Sequence, residues 1–344
     1  RSRFEIHVFS FGPDVKDEMR VRLLNSVENF HDVRLRSNVE IAGLSRSLGI
    51  DVAVDLKGHT THSRTGIFSY RTGLVQINYL GYPGTMGASY FDYILADPVL
   101  IPSEYQAFYS EKVAYMPNSY QVNDSSRSIS DKAMSRSDFG LPNEALIFCC
   151  FNNTRKITPD VFDIWMRLLG AVEGSVLWLF KANQLACLNL RKEALKRGVD
   201  PARLVFAERV PLPEHLARHR LADLFLDTFN YNAHTTASDA LWAGLPVVTK
   251  MGEGFASRVA GSLLSAVGLP ELITRSSQEY EDTALRLARN PKELMVISEK
   301  LECNLKTTPL YDSDLFTRHI ESAYIHMTQH VEKCLEPEHF YVDN

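Results

Sequence analysis

"DLFLDTFNYNAHTTASDALWAGLPVVTK", residues 223 to 250, sets the reading of the whole chain. The apolar run at 223–227 reads as a buried strand. A helix with a polar start follows and runs to Trp242, and the residues from Pro246 to Lys250 read as a second strand. Strand, helix and strand in close succession make a parallel-sheet unit. His234, Thr235 and Thr236 fall at the first turn of that helix. Unpaired backbone N–H groups and the helix dipole there suit a phosphate. Ala233 and Ala237 leave room for a ligand to approach the backbone, and Asp239 follows one turn later, within reach of a ribose hydroxyl. The same spacing also reads as a helix capped by threonine with a solvated Asp239. The segment alone does not separate the two readings.

The alternation continues on both sides. Strands are expected at 4–11, 51–56, 75–83 and 91–97, and helices at 17–30 and 39–48. After residue 145 the pattern restarts. Strands are expected at 145–151, 175–180 and 203–208, with helices at 159–170, 188–198, 213–222 and 255–268. A closing helix is expected over 314–334. The stretch from 118 to 145 is polar, rich in Ser and Asp, and reads as an irregular connection. The expected fold class is therefore α/β, with two Rossmann-like domains in tandem. The expected domains are 1–125, 140–310, and a closing helix and tail at 311–344.

The bulk numbers agree with this class. A chain of 344 residues with 45% hydrophobic and 23% charged residues is ordinary for a globular protein of two domains. A net charge of −5 gives no reason to expect nucleic-acid binding. No apolar run reaches the roughly 18 residues that span a bilayer, no signal peptide is visible, and a cytoplasmic protein is expected. The five cysteines are scattered, with Cys149 and Cys150 inside an apolar strand, and read as buried free thiols. The chain opens abruptly on Arg1 and a strand, which suggests a piece of a longer protein.

In an open parallel sheet, ligands bind beyond the carboxyl ends of the strands. Four loops there carry polar groups: the one with Lys156, the one from Arg209 to Arg218, the one leading to His234, and the one from Met251 to Arg258. Lys156 reads either as a mobile positive charge for a diphosphate or as a surface lysine. His215 and Arg218, three apart on a helix begun by Pro213, share a face. They read as groups for stacking on and hydrogen-bonding a base, or as a solvated face. Together the loops favour a nucleotide diphosphate. In the first half, His59 and His62, and the glycine-rich turn with Gly81, Pro83, Gly84 and Gly87, also follow strands. Asp312 and Asp314 resemble an Asp-x-Asp metal motif but read better as a helix cap, and no metal is expected.

The motifs "LGYPGTMGASYFDYILAD", "YSEKVAYMPNSYQ", "IFCCFNNTRKITPDVFDIWMRLL", "EHLARHRLADLFLDTFNYNAHTTASDALWAGLPVVT" and "FASRVAGSLLSAVGLPELI" occur in order. Together they resemble the catalytic region of O-GlcNAc transferases, bacterial ones above all. SPINDLY-type O-fucosyltransferases are more distant. The resemblance runs from about residue 4 to 330. It implies a GT-B fold with two Rossmann-like domains facing a cleft, and inverting, metal-independent transfer of GlcNAc from UDP-GlcNAc to Ser or Thr of protein acceptors. It implies no cofactor beyond that donor, no nucleic-acid or membrane partner, and an oligomer as an open possibility.

By the same resemblance, Lys156 stabilises the leaving group. Asn153, Val210, Pro211, His215, Arg218, His234, Thr235, Thr236 and Asp239 join it around the nucleotide. His59, Gly81, Tyr82, Pro83 and Tyr231 line the sugar and acceptor side. Leu212 stands where animal relatives have a lysine, and Asn153 where they have glutamine. The segment bearing the family's proposed general base, and its tetratricopeptide repeats, would lie before Arg1, so the first domain is expected to be incomplete at its start. Alternatives kept open are a GDP-fucose donor, a non-catalytic nucleotide-sugar-binding module and a UDP-sugar epimerase.

Overall fold

The structure, a computed structural model, describes residues 3–343. In chain order it contains β1 (His7–Ser10), α1 (Glu18–Ser26), β2 (Asn29–Asp32), α2 (Asn38–Ser47), β3 (Val52–Asp55), β4 (Val75–Asn78), β5 (Tyr93–Ala96) and β6 (Lys112–Tyr115). It continues with β7 (Ile147–Cys150), α3 (Pro159–Ala171), β8 (Val176–Phe180), α4 (Gln184–Lys196), β9 (Leu204–Ala207), α5 (Leu212–His219), β10 (Leu224–Leu226) and α6 (Thr235–Trp242). The chain ends with β11 (Val247–Lys250), α7 (Val259–Ala266), β12 (Ile273–Thr274), α8 (Ser277–Arg289), α9 (Pro291–Asn304), α10 (Ser313–Glu332) and β13 (Phe340–Tyr341).

Two compact units result. The first gathers the chain up to Leu95, Gln106–Ala114 and Ala323–Phe340. The second gathers Ala96–Tyr105, Tyr115–Ser322 and the end from Tyr341. The first unit has a sheet in the order β13-β6-β5-β4-β3 and a separate parallel pair, β1 with β2. Its core includes Val33, Ile41, Ile67, Phe68, Met86 and Phe91.

Several expected elements differ in extent. The helix expected over 17–30 stops at Ser26, and Phe30 lies in β2 instead. Parallel pairing of 29–32 with β1 satisfies the backbone of both segments. None of the residues of α1 is buried, so its helical pattern has no core to extend against. The strand expected over 75–83 ends at Asn78. Leu80 then takes a left-handed φ of 68°, and Gly81 runs against the backbone of Leu56 and Lys57. The cysteines are free, but Cys303 and Cys334 are exposed rather than buried. Asp312 caps α10 through Leu315 N–H at 2.8 Å, as its position suggested.

No element is expected from the sequence over 277–304, where α8 and α9 stand. Ser276 accepts from the backbone of Glu279, and Asn290 from that of Glu293. Tyr280, Ala284, Leu287 and Ala288 form the buried face of α8. The cap spacing and the Pro after Asn290 are helix-start signals.

The second unit's sheet has the order β12-β11-β10-β7-β8-β9, and its strand pairs are parallel. From β7 the chain builds outward through β8 and β9, then crosses back to lay β10, β11 and β12 on the other side. The order reverses between β7 and β10. The loops leaving these two adjacent strands must diverge, which opens a crevice at their carboxyl ends.

A buried carboxylate shapes that crevice. Asp227 follows β10 directly and is fully buried. Its Oδ1 accepts from the backbone N–H of Thr228 (2.7 Å) and Ala233 (2.6 Å) and from Asn152 Nδ2 (3.1 Å). Its Oδ2 accepts from Thr249 Oγ1 at 2.7 Å. One side chain thus ties the ends of β7, β10 and β11 and closes the loop 228–233 onto itself. Burial pushes the carboxyl up to about 6, against the pull of these donors and of the Lys156 ammonium.

Two outcomes follow for stability. Gly81→Ala places a Cβ against the Leu56 carbonyl and 2.9 Å from the Lys57 Cα. It should cost at least about 1–3 kcal/mol in urea unfolding, whereas Gly170→Ala, on open space within α3, should be neutral or slightly stabilising. The Asp227 carboxyl has a folded pKa above its unfolded value near 3.9. Its contribution is therefore full below that value and is lost as pH rises through about 6. The stability difference between the native protein and Asp227→Asn should fall by about 2–3 kcal/mol across that window. A difference that stays flat from pH 4 to 7 contradicts the assignment.

Candidate functional site

Lys156 sits on the short turn that follows β7. Asn153 starts this turn by accepting from the backbone of Arg155 at 3.0 Å. Asn153 is thus placed as a cap at the mouth of the loop, with an exposed side chain. Lys156 is not a solvated surface lysine. Its Nζ donates to the Asn232 carbonyl at 2.8 Å and lies 4.1 Å from the centroid of the Tyr231 ring. Burial lowers its pKa, while the Asp227 and Cys150 side chains hold it up.

The loop 228–233 that receives this ammonium is pinned throughout. Asn152 Nδ2 donates to Thr228 Oγ1 at 2.8 Å, and Thr228 Oγ1 donates to the Tyr231 carbonyl at 2.7 Å. Asn232 Nδ2 donates to the Thr228 carbonyl at 2.7 Å. Ala256, in the loop after β11, accepts from the Asn232 backbone at 2.8 Å and lies 3.1 Å from His234 Nε2. The last contact fixes the tautomer. A carbonyl only accepts, so Nε2 carries the hydrogen and Nδ1 carries the lone pair. Burial and then the Lys156 ammonium push His234 down to about 3, so it is neutral at pH 7. Its ring stacks on Tyr231 with centroids 4.6 Å apart.

His234 occupies the cap position of α6, and its side chain makes no cap bond. Thr235 is exposed at the first helical position, and Thr236 donates its hydroxyl to Asn152 Oδ1 at 2.5 Å. Lys156, Tyr231, His234, Thr235 and Thr236 are therefore brought together around one helix start. An ammonium and backbone N–H groups converge there, which is the donor set an anion needs.

Asp239 is not a solvated helix residue. Arg127 makes an ion pair with its Oδ1, and both side chains are largely buried. The Arg127 guanidinium also lies 5.8 Å from the Trp242 ring, and Trp242 Nε1 donates to the Arg127 carbonyl at 3.2 Å. Burial raises the Asp239 pKa, and Arg127 opposes the rise. Arg127 lies in the stretch that reads as an irregular connection, where no periodicity could single it out.

His215 and Arg218 do share a face of α5, but Arg218 is only 1% exposed and does not present its guanidinium to solvent. The expectation that it stacks on a base is corrected. It stacks on Phe151 at 4.6 Å, donates to the Glu208 carbonyl at 2.6 Å, and donates to His215 Nδ1 at 2.5 Å. A guanidinium only donates, so His215 keeps its lone pair on Nδ1 and presents Nε2–H as a donor. Burial, then Arg218, pushes His215 down to about 4, and burial lowers Arg218 to about 10. Beside them, Val210 is half-buried and Pro211 is the exposed residue that starts α5.

The first unit has its own polar turn. His59 Nε2 lies 3.1 Å from the Met86 carbonyl, and its ring meets Tyr82 edge-on at 5.2 Å. Gly81, Tyr82 and Pro83 form the tight turn beside it, with the Tyr82 ring packed over Gly84. Asn152, Asp227, Asn232 and Arg127 are not among the residues expected at the site. A polar residue immediately after an apolar strand was the available signal for the first two.

The profile of glycosyl transferase family 41 matches residues 1–133 and 127–320. The chain is 35% identical, over 348 residues, to a probable UDP-N-acetylglucosamine–peptide N-acetylglucosaminyltransferase SEC of Arabidopsis thaliana, covering 99% of this chain and 36% of the relative. It is 27% identical to the Caenorhabditis elegans UDP-N-acetylglucosamine–peptide N-acetylglucosaminyltransferase, covering 98% of this chain and 39% of the relative. The chain thus spans a little over a third of these curated relatives. Among solved structures, a lysine-to-methionine mutant of Thermobaculum terrenum O-GlcNAc transferase superimposes with a TM-score of 0.89 at 30% identity, over 96% of this chain and 62% of that one. Anabaena HepE in complex with UDP and glucose shares the fold, with a TM-score of 0.55 at 13% identity, over 95% of this chain and 90% of that one. The mixed α/β architecture of parallel sheets is that of the GT-B glycosyltransferases. Among the described residues no helix is long and apolar enough to cross a membrane. By the family profile, which matches most of its length, this chain belongs to glycosyl transferase family 41.

Proposed function

We propose that the chain carries the donor-binding and transfer machinery of a UDP-GlcNAc:protein O-GlcNAc transferase, acting on Ser or Thr hydroxyls by inversion and without a metal. The observation that carries this reading is the Lys156 ammonium, held by the Asn232 carbonyl and the Tyr231 ring beside the start of α6. In a single displacement the acceptor oxygen bonds to C1 of the sugar as the bond from C1 to the diphosphate breaks. Configuration inverts, and negative charge grows on the departing β-phosphate. A fixed ammonium with helix N–H groups stabilises that charge where it forms, with little reorganisation.

The remaining donor contacts follow from the same geometry. His215 Nε2–H suits a pyrimidine carbonyl, with Arg218 as the positioning residue that holds the tautomer. Backbone near Val210 and Pro211 suits the edge of the base. Asp239, braced by Arg127, suits a ribose hydroxyl. His234, Thr235 and Thr236 suit the diphosphate. Asn153, Tyr231 and the turn of His59, Gly81, Tyr82 and Pro83 are proposed for the sugar and acceptor. The acceptor hydroxyl must also lose a proton to a base, and none of these donor contacts supplies it.

Lys156→Met should lower turnover of UDP-GlcNAc with a peptide acceptor by about a hundredfold or more while the fold, followed by circular dichroism, is kept. Full activity in that variant would end the leaving-group role. A second outcome concerns protons. His234 is neutral with its lone pair on Nδ1, so a diphosphate placed there raises its affinity for a proton. UDP-GlcNAc, unlike UDP, has no phosphate group that titrates near pH 6. Binding heats measured at that pH in buffers of different ionisation enthalpy should report proton uptake that is smaller in His234→Gln, the remainder belonging to the Asp227 carboxyl, which itself titrates at about 6. Equal proton uptake in both proteins would place the diphosphate elsewhere.

A further inference from the structure

The end of the chain carries a second constellation, in the first unit and outside the donor loops. His326 and His330 are four apart on α10, so their rings lie one turn apart on one face, with centroids 6.0 Å apart and planes within 22°. Glu338 returns beside them from the segment after the helix. One nitrogen of each ring and a Glu338 carboxylate oxygen all lie within 4.8 Å of one another.

Both imidazoles are oriented by neighbours. His330 Nε2 donates to the Glu336 carbonyl at 2.7 Å, which leaves its lone pair on Nδ1. A carbonyl on one ring nitrogen is the usual outer support of a metal-bound histidine. The His326 ring stacks on Phe340 at 4.1 Å, and Phe340 in turn meets Tyr93 of β5 edge-on at 5.8 Å. The return itself is tight. Cys334 takes a left-handed φ of 56°, and Leu335 N–H donates back to the His330 carbonyl at 3.1 Å.

We infer that His326, His330 and Glu338 bind a divalent transition-metal ion of the zinc class, tying the segment that leads to β13 onto the last helix. Two imidazoles and one carboxylate suit Zn²⁺ and Co²⁺, whereas Mg²⁺ and Ca²⁺ prefer oxygen ligands alone. A tetrahedral zinc with bonds of about 2.0–2.2 Å sets its ligands about 3.4 Å apart. Small side-chain rotations of the two exposed ligands reach that spacing, and water completes the coordination. The site is a structural clasp and takes no part in sugar transfer.

Metal-stripped protein titrated with ZnCl₂ should bind one equivalent and unfold at a higher temperature. Co²⁺ should give the visible absorption of a tetrahedral site. His326→Gln, His330→Ala and Glu338→Gln should each weaken binding at least tenfold, with UDP affinity unchanged. Cys334→Ser, which removes the nearby exposed thiol, should leave binding intact. If His330→Ala fails to fold, the two substitutions at exposed positions still decide the matter. No bound zinc, or binding that survives both His326→Gln and Glu338→Gln unchanged, overturns the inference.

Discussion

The sheet edge of the second unit where the strand order reverses depends on one buried carboxylate. Asp227 stands where the strand order of the sheet reverses, and its two oxygens collect partners from the ends of three strands. A charged group in that position is costly to bury, and its raised pKa records that cost. What offsets the cost is the set of backbone and side-chain donors that would otherwise lack partners, together with the nearby Lys156. The carboxylate does not face a ligand. It sets the shape of the loop 228–233, and that loop supplies the carbonyl of Asn232 that aims the lysine.

The electrostatics of the crevice lean one way. Burial lowers the pKa of Lys156, of His215 and of His234, and the nearest cations push the two histidines further down. Each of these groups holds positive charge less readily than it would in water. Under the proposed function, an arriving diphosphate reverses the balance for the groups around α6, because its charge favours their protonated forms. The Lys156 ammonium is thus incompletely solvated, which suits it to an anion. Tyr231 contributes by offering its ring face to the ammonium and stacking on the imidazole, so that one aromatic side chain holds both.

Much of this was legible in the sequence, for physical reasons. Buried parallel strands are short apolar runs, and "IFCC", "VLWLF" and "LFL" announce themselves. Polar loops after such strands must gather at one edge, so His234, Thr236 and Lys156 could be grouped before any coordinates. What stayed hidden was the pairing of particular atoms. Asp227 differs in no local way from any acidic residue at a strand end, and Arg127 lies in a stretch with no periodicity at all. The helices of 277–304 had readable caps but surrounded them with charged residues. The last turn expected of α1 was lost because 29–32 had a strand to pair with, a tertiary choice that local pattern does not contain.

Arg218 shows how a correct grouping can still misassign a role. Three residues of separation put it on the face of His215, and that much geometry dictates. Whether the guanidinium meets a ligand or its own fold depends on what lies above it, and Phe151 and the Glu208 carbonyl lie there. Nη1 donates to the Glu208 carbonyl and Nη2 to His215 Nδ1, and with the guanidinium buried Arg218 reaches outward through the imidazole whose lone pair it occupies. That arrangement makes Lys a poor substitute. A lysine at this position has no planar group to lie on Phe151 while donating to two acceptors in different directions. The consequence extends to His215: without a fixed donor on Nδ1 its two tautomers become comparable, and Nε2 offers a lone pair as readily as a proton. Under the proposed function, selectivity for a carbonyl-bearing base then rests on a side chain that lies behind the imidazole, buried against Phe151.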